Sequence, residues 1–152
     1  MFKPLAKILV PGAKVFKQAR DGDAGYDIWS LHTTVVPSQG VAEFRTGIAT
    51  AFDPEWVGLV LDRGGWGWKG LMRQAGVIDS NYRGEWLVKL YNTSNQALTL
   101  EGVLDNPNAK AICQAIFVQV GLGDFSVVDV LPTSVRGASG WGSSDANSGN
   151  KG

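Results

Sequence analysis

Ala75-Gly76-Val77-Ile78-Asp79-Ser80-Asn81-Tyr82-Arg83-Gly84-Glu85-Trp86 reads as a β-hairpin with polar chemistry at its bend. Val77 and Ile78 are β-branched and strand-prone, and residues 86–91 form a second strand-like run. Asp79-Ser80-Asn81 between them is a turn-forming cluster. A carboxylate held at a strand end by a tight turn has a fixed direction. Tyr82 offers a flat face three residues on, and Gly84 lets another backbone or a ligand come close. Such a tip can hold a base, a sugar and an activated water. An ordinary polar bend has the same composition, and both readings stand at this point.

On either side of this stretch, twenty glycines and six prolines cut the chain into short pieces separated by β-branched runs. That pattern predicts an all-β sandwich or barrel. Strands are expected over 6–10, 14–17, 32–36, 41–44, 47–51, 56–61, 97–103, 111–120 and 125–131, with a turn or two of helix near 68–73. A length of 152 residues suits one domain, with 44% hydrophobic and 18% charged residues. From Pro132 on, the composition turns to Gly, Ser, Asn and Asp. The expected division is therefore a β-barrel domain over 1–131 and a flexible arm over 132–152.

Fourteen basic residues balance fourteen acidic ones, so no global charge draws the chain to nucleic acid or to a membrane surface. No apolar run is long enough to span a bilayer, and Met1-Phe2-Lys3-Pro4 does not open a signal peptide. The single cysteine, Cys113, excludes an internal disulfide and suits a reducing compartment. A soluble cytoplasmic protein is expected.

The same scarcity limits the chemistry. One His and one Cys cannot supply the usual ligands of zinc. Cys113 lies in the longest apolar run and reads as core. Asp27 and Asp79 each end an apolar segment, and hard oxygen ligands suit magnesium. Arg63-Gly64-Gly65 directly follows a strand. Consecutive glycines expose N–H groups that can form an anion nest beside the arginine fork, and they can also make a simple tight turn. Trp66 and Trp68, interleaved with glycine, suit base stacking in principle, but the neutral charge favours packing. Arg136-Gly137-Ala138-Ser139-Gly140-Trp141-Gly142-Ser143-Ser144 sets an arginine and a tryptophan in an arm that cannot bury them by itself. It reads as a segment that closes over a ligand, or as a partner-binding tail.

The order of these pieces carries a resemblance. Ala24-Gly25-Tyr26-Asp27-Ile28, Arg63-Gly64-Gly65, the run from Gly76 to Glu85, Ile112-Cys113-Gln114 and the run from Arg136 to Ser144 follow one another along most of the chain. Together they resemble the five-motif signature of the trimeric dUTPase family. The third and fifth motifs are long and specific. The resemblance implies a distorted jelly-roll-like β fold and a homotrimer. Its sites lie at subunit junctions, with the glycine-rich arm swapped between subunits.

The implied reaction converts dUTP and water to dUMP and pyrophosphate. By resemblance, Asp79 activates the water that attacks the α-phosphorus. Mg2+ is held mainly by the phosphates, with Asp27 binding through its water shell. Arg63, Gly64 and Gly65 match the phosphate loop, Gln114 the α-phosphate contact and Arg136 the γ-phosphate clamp. Trp141 takes the place of a phenylalanine over uracil, with Gly142 and Ser143 beside it. Tyr82 stacks on the deoxyribose, while backbone groups of Gly76, Val77, Ile78 and Leu87 surround uracil.

The chain departs from the family pattern in five places, one of them the segment 66–73, which is rewritten with two tryptophans. Asp62 replaces a proline, and Gly64 replaces a serine whose hydroxyl donates to the leaving phosphates. Asn81 stands where aspartate is common, and Ala109-Lys110-Ala111 replaces Gly-Asp-Arg. Two alternatives follow from the shared fold. One is an enzyme of the related dCTP deaminase branch, which expects Arg-Ser-Ser where Arg63-Gly64-Gly65 stands. The other is a dUTP-binding regulatory protein with weakened catalysis.

Overall fold

In a computed structural model of the chain, residues 2–138 are described. They fold into twelve short strands and one four-residue helical turn. The strands are β1 (Leu5–Ile8), β2 (Lys17–Gln18), β3 (Tyr26–Ile28), β4 (Thr34–Val36), β5 (Val41–Arg45), β6 (Ile48–Ala51), β7 (Trp56–Asp62), β8 (Leu71–Gln74), β9 (Val77–Ile78), β10 (Leu87–Asn92), β11 (Leu98–Leu100) and β12 (Cys113–Gln119), with α1 (Gly64–Gly67) between β7 and β8. The all-β expectation holds. The helical turn falls at Gly64–Gly67 and not at 68–73, where β8 forms instead. Leu71 from β8 is buried, so tertiary packing overrides the local propensity there.

The longest strands, β7 and β12, pair antiparallel over their whole length, from Cys113 opposite Asp62 to Gln119 opposite Trp56. They form the centre of a five-stranded sheet of order β2-β3-β12-β7-β9. A three-stranded sheet, β5-β10-β8, and two strand pairs, β1-β6 and β4-β11, complete the strand pairing. The inner face of the five-stranded sheet carries Ile28, Val60, Cys113 and Ala115 into the main core, with Phe44, Trp86, Val88, Leu90 and Leu100. Cys113 is buried as expected; burial, then the neighbouring Asp62 and Asp27, pushes its thiol far above the ordinary range.

The opening stretch is not a hairpin. β9 pairs with β7, whereas β10 pairs with β5 and β8. Residues 79–86 therefore cross from one sheet to the other. Trp86 explains the crossing. Its ring is wholly buried, and its Nε1 donates to Thr50 Oγ1 at 2.9 Å. A large core side chain at this position pulls the chain inward before a two-stranded ladder can form.

The chain divides into two units, Met1–Leu122 and Gly123–Gly152. In the second, the described residues form no strand, so the expected strand over 125–131 is absent. Phe125, Val127, Val130, Leu131 and Val135 are all exposed. A strand-prone run needs a free sheet edge to become a strand, and no ladder is given to this one.

Candidate active site

The residues singled out in the sequence gather in two places within the first unit. Asp27, Arg63, Gly64, Gly65 and Gln114 line one open pocket of about 550 Å³, together with Asp23, Ala24 and Gly25. The ladder brings them together. Gln114 on β12 stands opposite Asp27 on one side and Leu61 on the other, and β7 delivers Arg63 one residue past its end. Arg63 Nε donates to Asp27 Oδ1 at 3.1 Å. Gln114 Nε2 donates to the Asp62 carbonyl at 2.9 Å. A Cβ at Gly25 would overlap the Gln114 amide, so this glycine makes the room in which that side chain lies.

After Arg63 the chain turns into α1. The carbonyl of Arg63 accepts from Trp66 N at 2.9 Å and from Gly67 N at 2.9 Å. The N–H groups of Gly64 and Gly65 open the turn and have no acceptor among the described residues, as expected of the first residues of a helical turn. The nest reading thus has two free donors beside a guanidinium. The packing expectation splits. Trp66 packs on the main core, while Trp68 is 94% exposed.

The second place surrounds the crossing segment. Val77, Ile78, Asp79, Tyr82, Glu85 and Leu87 line a pocket of about 190 Å³. Gly76 enters β9 with φ +113, and a Cβ there would lie 2.9 Å from Val60 Cβ. Its carbonyl accepts from Val60 N at 2.8 Å, which ties the pocket to β7. The bend is closed by Tyr82 N donating to the Asp79 carbonyl at 3.1 Å and Arg83 Nη1 donating to the Ser80 carbonyl at 2.7 Å. Gly84 admits the Tyr82 ring rather than a second chain, because a Cβ there would collide with that ring. Tyr82 Oη donates to the Glu85 carbonyl at 3.1 Å.

Sequence reasoning missed Glu85. Its carboxylate takes three bonds from Arg45 (Nε to Oε1 at 3.3 Å and to Oε2 at 3.0 Å, Nη2 to Oε2 at 2.9 Å) and one from Gly47 N at 2.7 Å. It clamps the far end of the bend to the β5–β6 turn. Its signal was the acid directly after Arg83-Gly84. Asp23 was also missed as a pocket residue, although it lies in the glycine-bearing loop that precedes Asp27.

The two places lie at opposite ends of one sheet face. Gln114, Ile116 and Val118 alternate with the core residues of β12, and Leu61, Leu59 and Val57 stand opposite them on β7. Val77 extends the row across β9. Asp27 sits at one corner of this half-exposed apolar face and Asp79 follows Ile78 at the other. Three strand spacings across and four residues along separate them by about 20 Å. Arg136 lies in the second unit, and Trp141, Gly142 and Ser143 fall outside the described residues.

Residues 12–145 match the family model for dUTPase. The chain belongs to the dUTPase family. It is 36% identical over 142 residues to the deoxyuridine 5'-triphosphate nucleotidohydrolase of Tropheryma whipplei (strain Twist), covering 91% of this chain and 93% of that one. It is also 36% identical over 140 residues to the protein of the same name from Paramecium bursaria Chlorella virus 1, covering 91% and 95%. Among solved structures, the chain shares its fold with a mutant Staphylococcus bacteriophage 80alpha dUTPase with dUpNHpp (TM-score 0.80, 23% identity, 93% of this chain and 98% of that one). It likewise shares it with a phage phi11 dUTPase of S. aureus described with a structural Mg(II) ion (TM-score 0.76, 20% identity, 86% and 99%). The jelly-roll-like expectation is borne out. Among the described residues, no helix is long and apolar enough to cross a membrane.

Proposed function

We propose that this chain hydrolyses dUTP to dUMP and pyrophosphate as a homotrimer with three sites at subunit junctions. The observation that carries the reading is the separation of the two pockets. Asp79 and Arg63 line different cavities of one chain, with the apolar row of Val57, Leu59, Ile116 and Val118 between their corners. A strand apolar on both faces is covered on both faces, and a second copy on this row supplies the cover. The same contact sets the Asp79 end of one subunit against the Arg63 end of the next.

In that joint site, Asp79 orients a water and takes its proton as the water oxygen bonds to the α-phosphorus. The bond from that phosphorus to the bridging oxygen breaks, and pyrophosphate leaves. Arg63 and the free N–H groups of Gly64 and Gly65 hold the leaving phosphates, and Gln114 faces the α-phosphate. The oxygen donors fit magnesium. Asp27 and Asp23 face the phosphate pocket, and a site with few carboxylates relies on waters and phosphates for the remaining ligands. When bound, the metal neutralises phosphate charge, with Asp27 acting through its water shell.

Tyr82 sits against the deoxyribose and leaves no room for a 2′-hydroxyl. Backbone groups of Gly76, Val77, Ile78 and Leu87 read the uracil edge. The arm over 132–152 crosses to a neighbouring subunit, where Arg136 meets the γ-phosphate and Trp141, Gly142 and Ser143 close over the nucleotide. The exposed apolar residues of 125–135 support such a crossing. One buried cysteine and the absence of a disulfide suit a cytoplasmic setting.

A nucleotide panel of dUTP, UTP, dTTP and dCTP with magnesium tests the reading. Pyrophosphate release from dUTP alone, lost in Asp79→Ala, is expected. Ammonia release from dCTP would place the chain in the deaminase branch, and dUTP binding without pyrophosphate release would make it a regulator.

A further inference from the structure

Three of the four residues of α1 are glycine, and a Cβ at Gly64, Gly65 or Gly67 would meet nothing within 4 Å. No residue of α1 is buried, and Arg63 at its start makes no side-chain capping bond. A glycine turn of this kind is conformationally permissive, so donors mounted on it are poorly fixed unless something else fixes them. Trp66 does so. Its Nε1 donates to the Ala111 carbonyl at 3.0 Å, its ring packs on the main core, and Lys69 Nζ lies 4.8 Å from the ring centroid. Ala111 leads directly into β12, the strand that carries Gln114.

We propose that Trp66 is a positioning residue that locks the glycine turn to the base of β12 and so aims the Gly64 and Gly65 N–H groups at the leaving phosphates. Tryptophan suits the task because a large flat ring resists displacement while its single N–H fixes the direction. Arg63 is held from the front by Asp27; Trp66 holds the turn from behind. The inference rests on the reading of this turn as the phosphate seat.

Two inhibitors separate the halves of the site. Deoxyuridine reads the Tyr82 pocket, and inorganic pyrophosphate reads the glycine turn. Trp66→Phe keeps the ring class and removes the donor. It is expected to raise KM for dUTP and the inhibition constant of pyrophosphate by about 3–10-fold, as for one lost hydrogen bond, with the deoxyuridine constant unchanged. Gly67→Ala, at an open position outside the binding groups, stiffens the turn. Alone it tightens pyrophosphate inhibition by about twofold, and in Trp66→Phe it restores part of the loss. Equal weakening of both inhibitors in Trp66→Phe, or no effect of either substitution on pyrophosphate, overturns the positioning role. A wild-type protein that hydrolyses no dUTP and binds no pyrophosphate overturns the functional reading itself. An active wild type with Trp66→Phe indistinguishable from it overturns the positioning role alone.

Discussion

Arg63 Nε donates to Asp27 Oδ1 at 3.1 Å, joining the residue after β7 to the middle of β3 across the β12 strand between them. The pair fixes the guanidinium by one nitrogen and leaves its two terminal amino groups without a partner among the described residues. The same carboxylate faces the pocket in which the phosphates and their metal are proposed to sit. Asp27→Asn removes the charge and keeps the shape. The magnesium concentration for half-maximal activity is expected to rise about 10–100-fold, the usual effect of disturbing the shell around a metal. Activity titrated against magnesium at saturating dUTP measures it, and an unchanged midpoint excludes Asp27 from the metal's surroundings.

Tyr82 is pinned by two features, the absence of a side chain at Gly84 beneath its ring and the bond from its hydroxyl to the Glu85 carbonyl. Tyr82→Phe keeps the ring over Gly84, and the ratio of dUTP to UTP turnover should stay within about threefold of wild type because an exposed hydrogen bond contributes little. Tyr82→Ala opens the space for a 2′-hydroxyl, and the ratio should fall by about 100-fold. Comparison of kcat/KM for the two nucleotides decides whether the ring or its hydroxyl does the excluding.

Gly64 can be given back the hydroxyl that the family pattern carries. A Cβ at this position meets nothing within 4 Å, and the residue opens a right-handed helical turn. Gly64→Ser should therefore fold as the wild type does and raise kcat by about tenfold, the effect of one added donor at the leaving phosphates. Thermal melting and kcat measured together check both halves of this statement. A folded variant with unchanged kcat would show that the two N–H groups already saturate the phosphate.

Much of this architecture was legible in the residues. β7 and β12 could be read because predominantly apolar runs long enough for a central strand stand between clear breakers. The phosphate pocket was legible as a set only through the order of the motifs: Arg63 follows and Gln114 occupies such a strand, but Asp27 lies in the three-residue β3, where no strand was expected. The crossing at 79–86 was not. Turn residues between two strand-prone runs predict a local hairpin, and nothing local reveals that Trp86 belongs to a core shared with Phe44 and Phe117. The second apolar face of β7 was readable but unread. Val57, Leu59 and Leu61 alternate with Gly58 and Val60, so β7 is apolar on both sides, which calls for cover on both sides.

Gly58 shows how tightly the core under the site is packed. A Cβ there would lie 2.8 Å from Trp86 Cη2 and 3.3 Å from Cζ2. The indole cannot retreat, because its Nε1 is bonded to Thr50 and its backbone N–H to the Ile48 carbonyl at 2.9 Å. Gly58→Ala should cost about 1–3 kcal/mol through overpacking. It should also weaken deoxyuridine binding, since Gly58 pairs with Ile78 beside the pocket proposed to hold the base. Urea unfolding and deoxyuridine inhibition report the two effects. A variant as stable as wild type would show that the Trp86 ring has room to move.

The central claim is that Arg63 of one subunit and Asp79 of another make one site, and mixing inactive variants tests it most directly. Arg63→Ala and Asp79→Ala are each expected to be inactive alone. Unfolded together and refolded as mixed trimers, they should recover about a quarter of the wild-type activity, because a random three-fold assembly unites an intact Arg63 half with an intact Asp79 half at that frequency. A mixture as inactive as either parent would mean that both halves come from the same chain, contrary to the account.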